Sequence, residues 1–185
     1  MKLYFVTGNR GKFEEARRVL AGCGVELEML PDAPKLEVQS MDVRDVARWA
    51  AYTAYLATGK PVVVEDTGLY IDALNGFPGA FAAQVYKTIG LRGVLKLLDG
   101  VENRRARFVT AVVAVIPPRV VEAVGVVEGV IVEEPRGSGG FGYDPIFRPL
   151  GSDKTFAEMS LEEKNRWSHR GRAFRQLCRL LNRGA

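Results

Sequence analysis

The first apolar run, Leu3 to Val6, is a short unbroken block that stops at a Thr-Gly-Asn turn, which predicts a buried strand. The period then changes. Phe13, Ala16, Val19 and Leu20 recur at helical spacing, and Gly22 or Gly24 can end the helix. "VELEML" returns to strand character and closes a β-α-β unit. Beyond the proline-bounded "PDAPKLEVQSM", Asp42 is placed to cap a helix from Val43 to about Thr58, with Gly59 as its stop. "PVVVEDT" reads as a third strand, and "GFPGAFAAQVYKTIG" as a loop leading into helical segments as far as Leu98. Two long β-rich runs follow, turned at Pro117–Pro118 and predicted to pair antiparallel. After the glycine-rich "GSGGFGYDPIF", Ser160 and Glu163 have the spacing of a capping box. Ser168 can start another helix after a break near Trp167, with Ala173, Phe174, Leu177 and Leu181 on one face. The pattern predicts one α/β domain over residues 1–185, with a mixed sheet and helices on both sides.

Composition narrows the class. A chain of 185 residues, 47% hydrophobic, can bury one substantial core. It has no apolar run long enough to span a bilayer and no signal-like leader, so a cytoplasmic protein without a membrane partner is expected. Cys23 and Cys178 are too few for a zinc site or a disulfide framework, and a single bridge between them stays open. The net charge of +4 is scattered rather than gathered into a stripe, which favours a small anionic ligand over nucleic acid.

Four stretches hold the candidate chemistry. "TGNRGK" has two residues between Gly8 and Gly11, and Phe13 after Lys12, so it fails as a P-loop. A glycine turn opening a helix still offers N–H groups to a phosphate, with Arg10 and Lys12 alongside; an ordinary strand–helix turn explains those six residues equally well. Glu65 and Asp66 end an apolar strand, where alternation sends neighbours to opposite faces. Paired carboxylates suit Mg²⁺, although Asp66 can instead cap a turn at Thr67–Gly68. Glu37, read from the residues alone, is a solvated loop carboxylate. "EKNRWSHRGR" gathers Lys164, His169 and Arg170 around the chain's single histidine. In the glycine-rich stretch, Phe141, Gly142, Tyr143 and Asp144 could lie against a flat ligand or simply form a turn before a strand.

Taken together and in order, "TGNRGK", "VEDTGL" with "GFPGAF", "GGFGYDPIF" and "FAEMSLEEKNRWSHRGRA" resemble the inosine triphosphate pyrophosphatases, or XTP/dITP diphosphatases, from residue 4 to about 173. The resemblance implies an elongated α/β fold of two lobes around a long mixed sheet, with the active site in the cleft between them. It implies a Mg²⁺-dependent homodimer that hydrolyses ITP, dITP and XTP to monophosphate and pyrophosphate. By position, Thr7, Gly8, Asn9, Arg10, Gly11 and Lys12 resemble the triphosphate turn. Glu37 and Asp66, with Glu65 as a third ligand, resemble the metal site, and Asp66 the catalytic acid residue. Thr67 is expected to touch substrate, Phe141 to Asp144 to hold the base, and Lys164, His169 and Arg170 to donate to a 6-oxo purine. Two basic phosphate contacts of the family are missing: Arg48 or nothing stands for one, and Lys87 is the nearest basic residue to the other. The rival readings are a septum-inhibitor-type nucleotide pyrophosphatase and a catalytically silent nucleotide sensor.

Overall fold

A computed structural model describes residues 1–183. Strand β1 (Lys2–Phe5) leads into helix α1 (Arg10–Ala21), and β2 (Glu26–Met29) returns parallel beside β1. Helix α2 (Val43–Thr58) begins at Asp42, whose carboxylate accepts from the Arg44 amide, and ends at Gly59 in the left-handed conformation. Asp42 and Gly59 thus satisfy backbone groups that a helix leaves open at its two ends.

Strand β3 is longer than its sequence suggests. It runs Val62–Ile71, through Thr67 and Gly68, so Asp66 lies within a strand and caps no turn. Ten ladder pairs with β5 (Arg105–Ile116) carry the strand past the glycine, overriding that residue's weak strand preference. A short β4 (Pro78–Gly79) pairs the end of β3, and helices α3 (Ala82–Thr88) and α4 (Gly90–Leu97) follow. β5 and β6 (Arg119–Ile131) form a long hairpin around Pro117–Pro118, and β7 (Phe147–Pro149) closes the order β2-β1-β3-β5-β6-β7. Two helices complete the chain, α5 (Leu161–Trp167) and α6 (His169–Asn182), divided at Ser168. Ser160 does cap α5, but the Glu163 side chain pairs with Lys154; the reciprocal capping box forms instead at Thr155 and Glu158.

Strand alternation sorts the core onto the two faces of the sheet. Val63, Val112 and Ala114 pack with Leu20 of α1 and Phe174 and Leu177 of α6. Val62, Val64, Val113 and Val115 pack with Ala47, Ala51 and Ala54 of α2. A third cluster lies at the far end, around Phe108, Phe147, Phe156 and Val94. The question left open for the cysteines is answered: Cys23 and Cys178 form a disulfide that joins the end of α1 to α6, their Cα atoms 5.9 Å apart. Among the described residues, no helix is long and apolar enough to cross a membrane.

Candidate active site

The turn after β1 delivers α1 to the sheet with Asn9 as its cap, the side chain accepting from the Lys12 amide at 3.1 Å. Lys12 and Glu15 are three residues apart and so share a helix face. That face looks at the odd side of β3. There the Lys12 ammonium lies 2.5 Å from Glu65, and Glu65 also accepts from Arg170 Nε at 2.8 Å. Arg170 reaches on to Glu15 at 2.8 Å, and Lys164 joins Glu15 and Asp144 at 2.6 Å each. The result is an unbroken chain of alternating charge: Lys12, Glu65, Arg170, Glu15, Lys164, Asp144. Apart from the partly exposed Lys12, these side chains are at most 5% exposed. Buried charges persist only when paired and hydrogen-bonded, and here each one is. Burial alone would raise the pKa of Glu65, but Arg170 and Lys12 outweigh it and hold the carboxyl well below the usual range.

Asp66, the next residue, points to the opposite face, as alternation requires. Burial pushes its pKa up to about 7, with Glu65 and Glu37 adding to the rise and Lys12 opposing it. Its Oδ2 is buried without a hydrogen-bond partner, which is costly unless another group supplies one. Nearby, Glu37 pairs with Lys35 at 2.5 Å in the loop before α2; that contact and the proximity of Lys12 and Lys87 lower its pKa against the effect of burial.

The glycine-rich loop folds back onto α1. Phe141 lies over the Lys164 ammonium at 4.5 Å and close to the Arg170 guanidinium, so tightly against Gly11 that a Cβ there would come 2.6 Å from the ring. Gly140 takes a left-handed φ of +69°, and a side chain on it would strike the Asp144 carboxylate. That carboxylate closes the loop by accepting from the Phe141 amide at 2.9 Å. The cost of ordering so flexible a stretch is therefore offset by packing and by a buried ion pair.

His169 opens α6, where its ring stacks on Phe108 at 4.4 Å between centroids. Burial, reinforced by Arg170 and Lys164, lowers its pKa far enough to keep it neutral, and Nδ1 has no partner.

Two adjoining cavities meet at this point. One, of about 450 Å³, is mainly apolar and is bounded by Phe108, Phe141, Tyr143, Tyr86 and His169. The other, of about 660 Å³, carries Lys35, Glu37, Gln39, Asp66 and Gln84. Asn9, Lys12, Thr67, Ala83 and Lys87 border both.

The structure gathers most of the sequence-predicted residues here and gives several of them partners within the protein. Both oxygens of Glu65, expected as a metal ligand, are taken by Lys12, Arg170 and the Thr67 hydroxyl. Thr67 Oγ1 is also 2.6 Å from Thr110 Oγ1. Asp144, expected among the residues that hold the base, has its Oδ2 shared by Lys164 and the Phe141 amide. Tyr143 is a core residue whose hydroxyl donates to the Ala82 carbonyl at 2.8 Å, which leaves Phe141 as the aromatic that can stack. Lys164 and Arg170 spend donors on carboxylates, whereas His169 keeps an unpartnered ring nitrogen. Thr7 and Gly8 border the charged cavity, whereas Arg10 is exposed and borders neither. Sequence reading missed Glu15 and Thr110. Glu15 is hidden in a Glu-Glu doublet that looks solvated; Thr110 had a signal, a hydroxyl in the apolar run "FVTAVVAVI". Among the described residues, no three histidine, cysteine or acidic side chains cluster as a ready-made metal cage.

A family model described as the Ham1 family matches residues 3–180. A Hyperthermus butylicus protein named dITP/XTP pyrophosphatase is 54% identical over 179 residues, covering 97% of this chain and 94% of its own. A protein of the same name from Methanopyrus kandleri is 49% identical, covering 96% and 95%. Among solved structures, the Ham1 protein of Staphylococcus aureus superposes with a TM-score of 0.86 at 29% identity over 100% of both chains. The HAM1 protein of Coxiella burnetii gives 0.87 at 31% identity over 99% of both. The mixed sheet with flanking helices expected from the sequence is the fold of these structures.

Proposed function

Because the chain belongs to the Ham1 family, we propose that it hydrolyses deaminated purine nucleoside triphosphates, ITP, dITP and XTP, to the monophosphate and pyrophosphate. One observation carries the reading: an aromatic cavity of base size joins a charged cavity of phosphate size, with the orphaned Asp66 carboxylate on the charged side. The purine lies on Phe141, and the triphosphate crosses the Asn9–Lys12 turn into the charged cavity. Asp66 Oδ2 and Glu37 suit a hard divalent cation, one being a buried oxygen in need of a partner and the other already facing a cation in Lys35. They would hold Mg²⁺, which neutralises charge on the phosphates and the departing pyrophosphate. Asp66 also positions the water that attacks the α-phosphorus. The buried ion chain keeps Phe141 and the loop fixed while this happens. Neutral His169 offers its imidazole to the purine edge.

The protein acts as a cytoplasmic homodimer in this reading. Trp49 and Leu56, 52% and 80% exposed, lie two turns apart on α2 and supply apolar surface that a partner copy would cover. Sedimentation as a monomer at micromolar concentration would remove the dimer from the reading.

The decisive experiment incubates the protein with a panel of triphosphates and Mg²⁺ and separates the products. Pyrophosphate and monophosphate from ITP and XTP, with ATP and GTP poor substrates, are expected. Orthophosphate with a diphosphate in the first turnover overturns attack at the α-phosphorus. Asp66→Asn should lose activity by about 10²-fold or more while staying folded.

A further inference from the structure

The charged cavity contains three lysines, and their commitments differ. Lys12 ends on Glu65, within the buried ion chain. Lys35 and Lys87 reach it from different elements. Lys35 is on the loop before α2, its side chain 36% exposed and its ammonium 2.5 Å from Glu37. Lys87 is in the last turn of α3 and borders both cavities, at their junction. Arg48 is not available to this site: it clamps Glu122 with Nε at 2.7 Å and NH2 at 2.9 Å.

The charges give these lysines work to do. Glu37 and Asp66 face the cavity, and a triphosphate would bring several more negative charges. With Lys12 neutralised by Glu65, turn amides and one divalent cation leave an excess of anion. Desolvating that excess is unfavourable without further cations.

We propose that Lys35 and Lys87 are this chain's phosphate-binding cations, a proposal that rests on the function argued above. Lys87, at the junction, holds the α-phosphate where the nucleotide passes from one cavity to the other. Lys35 holds the terminal phosphates. In the ligand-free protein its ammonium stands against Glu37 as the counter-ion that a divalent cation would replace; once displaced, it turns to the departing pyrophosphate. The two lysines therefore act on different parts of the ligand.

Calorimetric titration tests the division without turnover. The probes are inorganic pyrophosphate with Mg²⁺, which fills only the phosphate side, and inosine monophosphate, which reaches from the aromatic cavity to the junction. Lys35→Met should weaken pyrophosphate by about tenfold or more and leave inosine monophosphate unchanged, as loss of one charge-assisted contact requires. Lys87→Met should weaken the monophosphate by a similar factor. Lys35→Arg should keep most of the pyrophosphate affinity. Both residues are exposed at the surface, so melting temperatures should match the unaltered protein. Variants that bind both probes like the unaltered protein overturn the proposal while the function stands. An unaltered protein that binds neither probe and leaves ITP intact overturns the function and, with it, the proposal.

Discussion

Glu65 and Asp66 are adjacent on one strand, yet the two faces of β3 treat their carboxylates in opposite ways. On the Glu65 face, α1 and α6 supply Lys12 and Arg170, and every charge finds a partner. The carboxyl is held ionised well below its usual range, and the arrangement is a scaffold. On the Asp66 face no cation among the described residues pairs with the carboxylate; burial pushes its pKa to about 7 and Oδ2 has no partner. Side-chain chemistry is nearly identical, so the difference comes from what each face is packed against. A satisfied charge stabilises a fold, whereas an unsatisfied one at a cavity wall is free to bind and react.

The contrast can be broken most severely at Glu65. Glu65→Gln leaves Lys12 and Arg170 undercompensated in the interior, and stability should fall by about 3–5 kcal/mol in urea unfolding. A loss below about 1 kcal/mol would mean the ion chain is not a unit. Next comes the disulfide, which ties the far ends of the two helices that frame the Glu65 face. Reduction should cost about 2–4 kcal/mol, read as a lower melting temperature with dithiothreitol; an unchanged melt would show that packing alone holds α1 to α6. Phe141→Ala removes the stacking surface, so ITP binding should weaken by about 1–3 kcal/mol, seen chiefly in KM. A defect confined to kcat would move Phe141 out of the base site.

The smallest effect sharpens the Asp66 side. Its folded pKa, about 7, lies above the ordinary 3.8, so the folded state binds this proton more tightly than the unfolded state. The group thus favours folding at low pH, and that contribution is lost as pH rises from about 4 through 7. Asn cannot ionise. With divalent cations chelated, Asp66→Asn should therefore be more stable than the parent by about 1 kcal/mol at pH 8, with the gap closing toward pH 4. A variant less stable than the parent at pH 8 would show that Asp66 is a satisfied structural carboxylate.

Much of this was legible in the sequence because it is local. The cap at Asp42, the stop at Gly59, the break at Ser168 and the β5–β6 hairpin follow from residue types and periods within a few positions of each other. The order of motifs also assigns Lys12, Asp66, Phe141 and His169 to one site, and they border the two adjoining cavities. What the sequence by itself could not decide was which polar residues are spent on each other. Glu15 meets Lys164 across 149 residues, and Glu65 meets Arg170 across 105; no spacing rule reaches that far. Nor does a local pattern end β3 at the right residue, since ten ladder pairs with β5 outweigh one glycine. Periodicity reports which way a side chain points. Only the packed structure decides what it meets there, and for buried charges the partner determines whether a carboxylate supports the fold or remains open to a ligand.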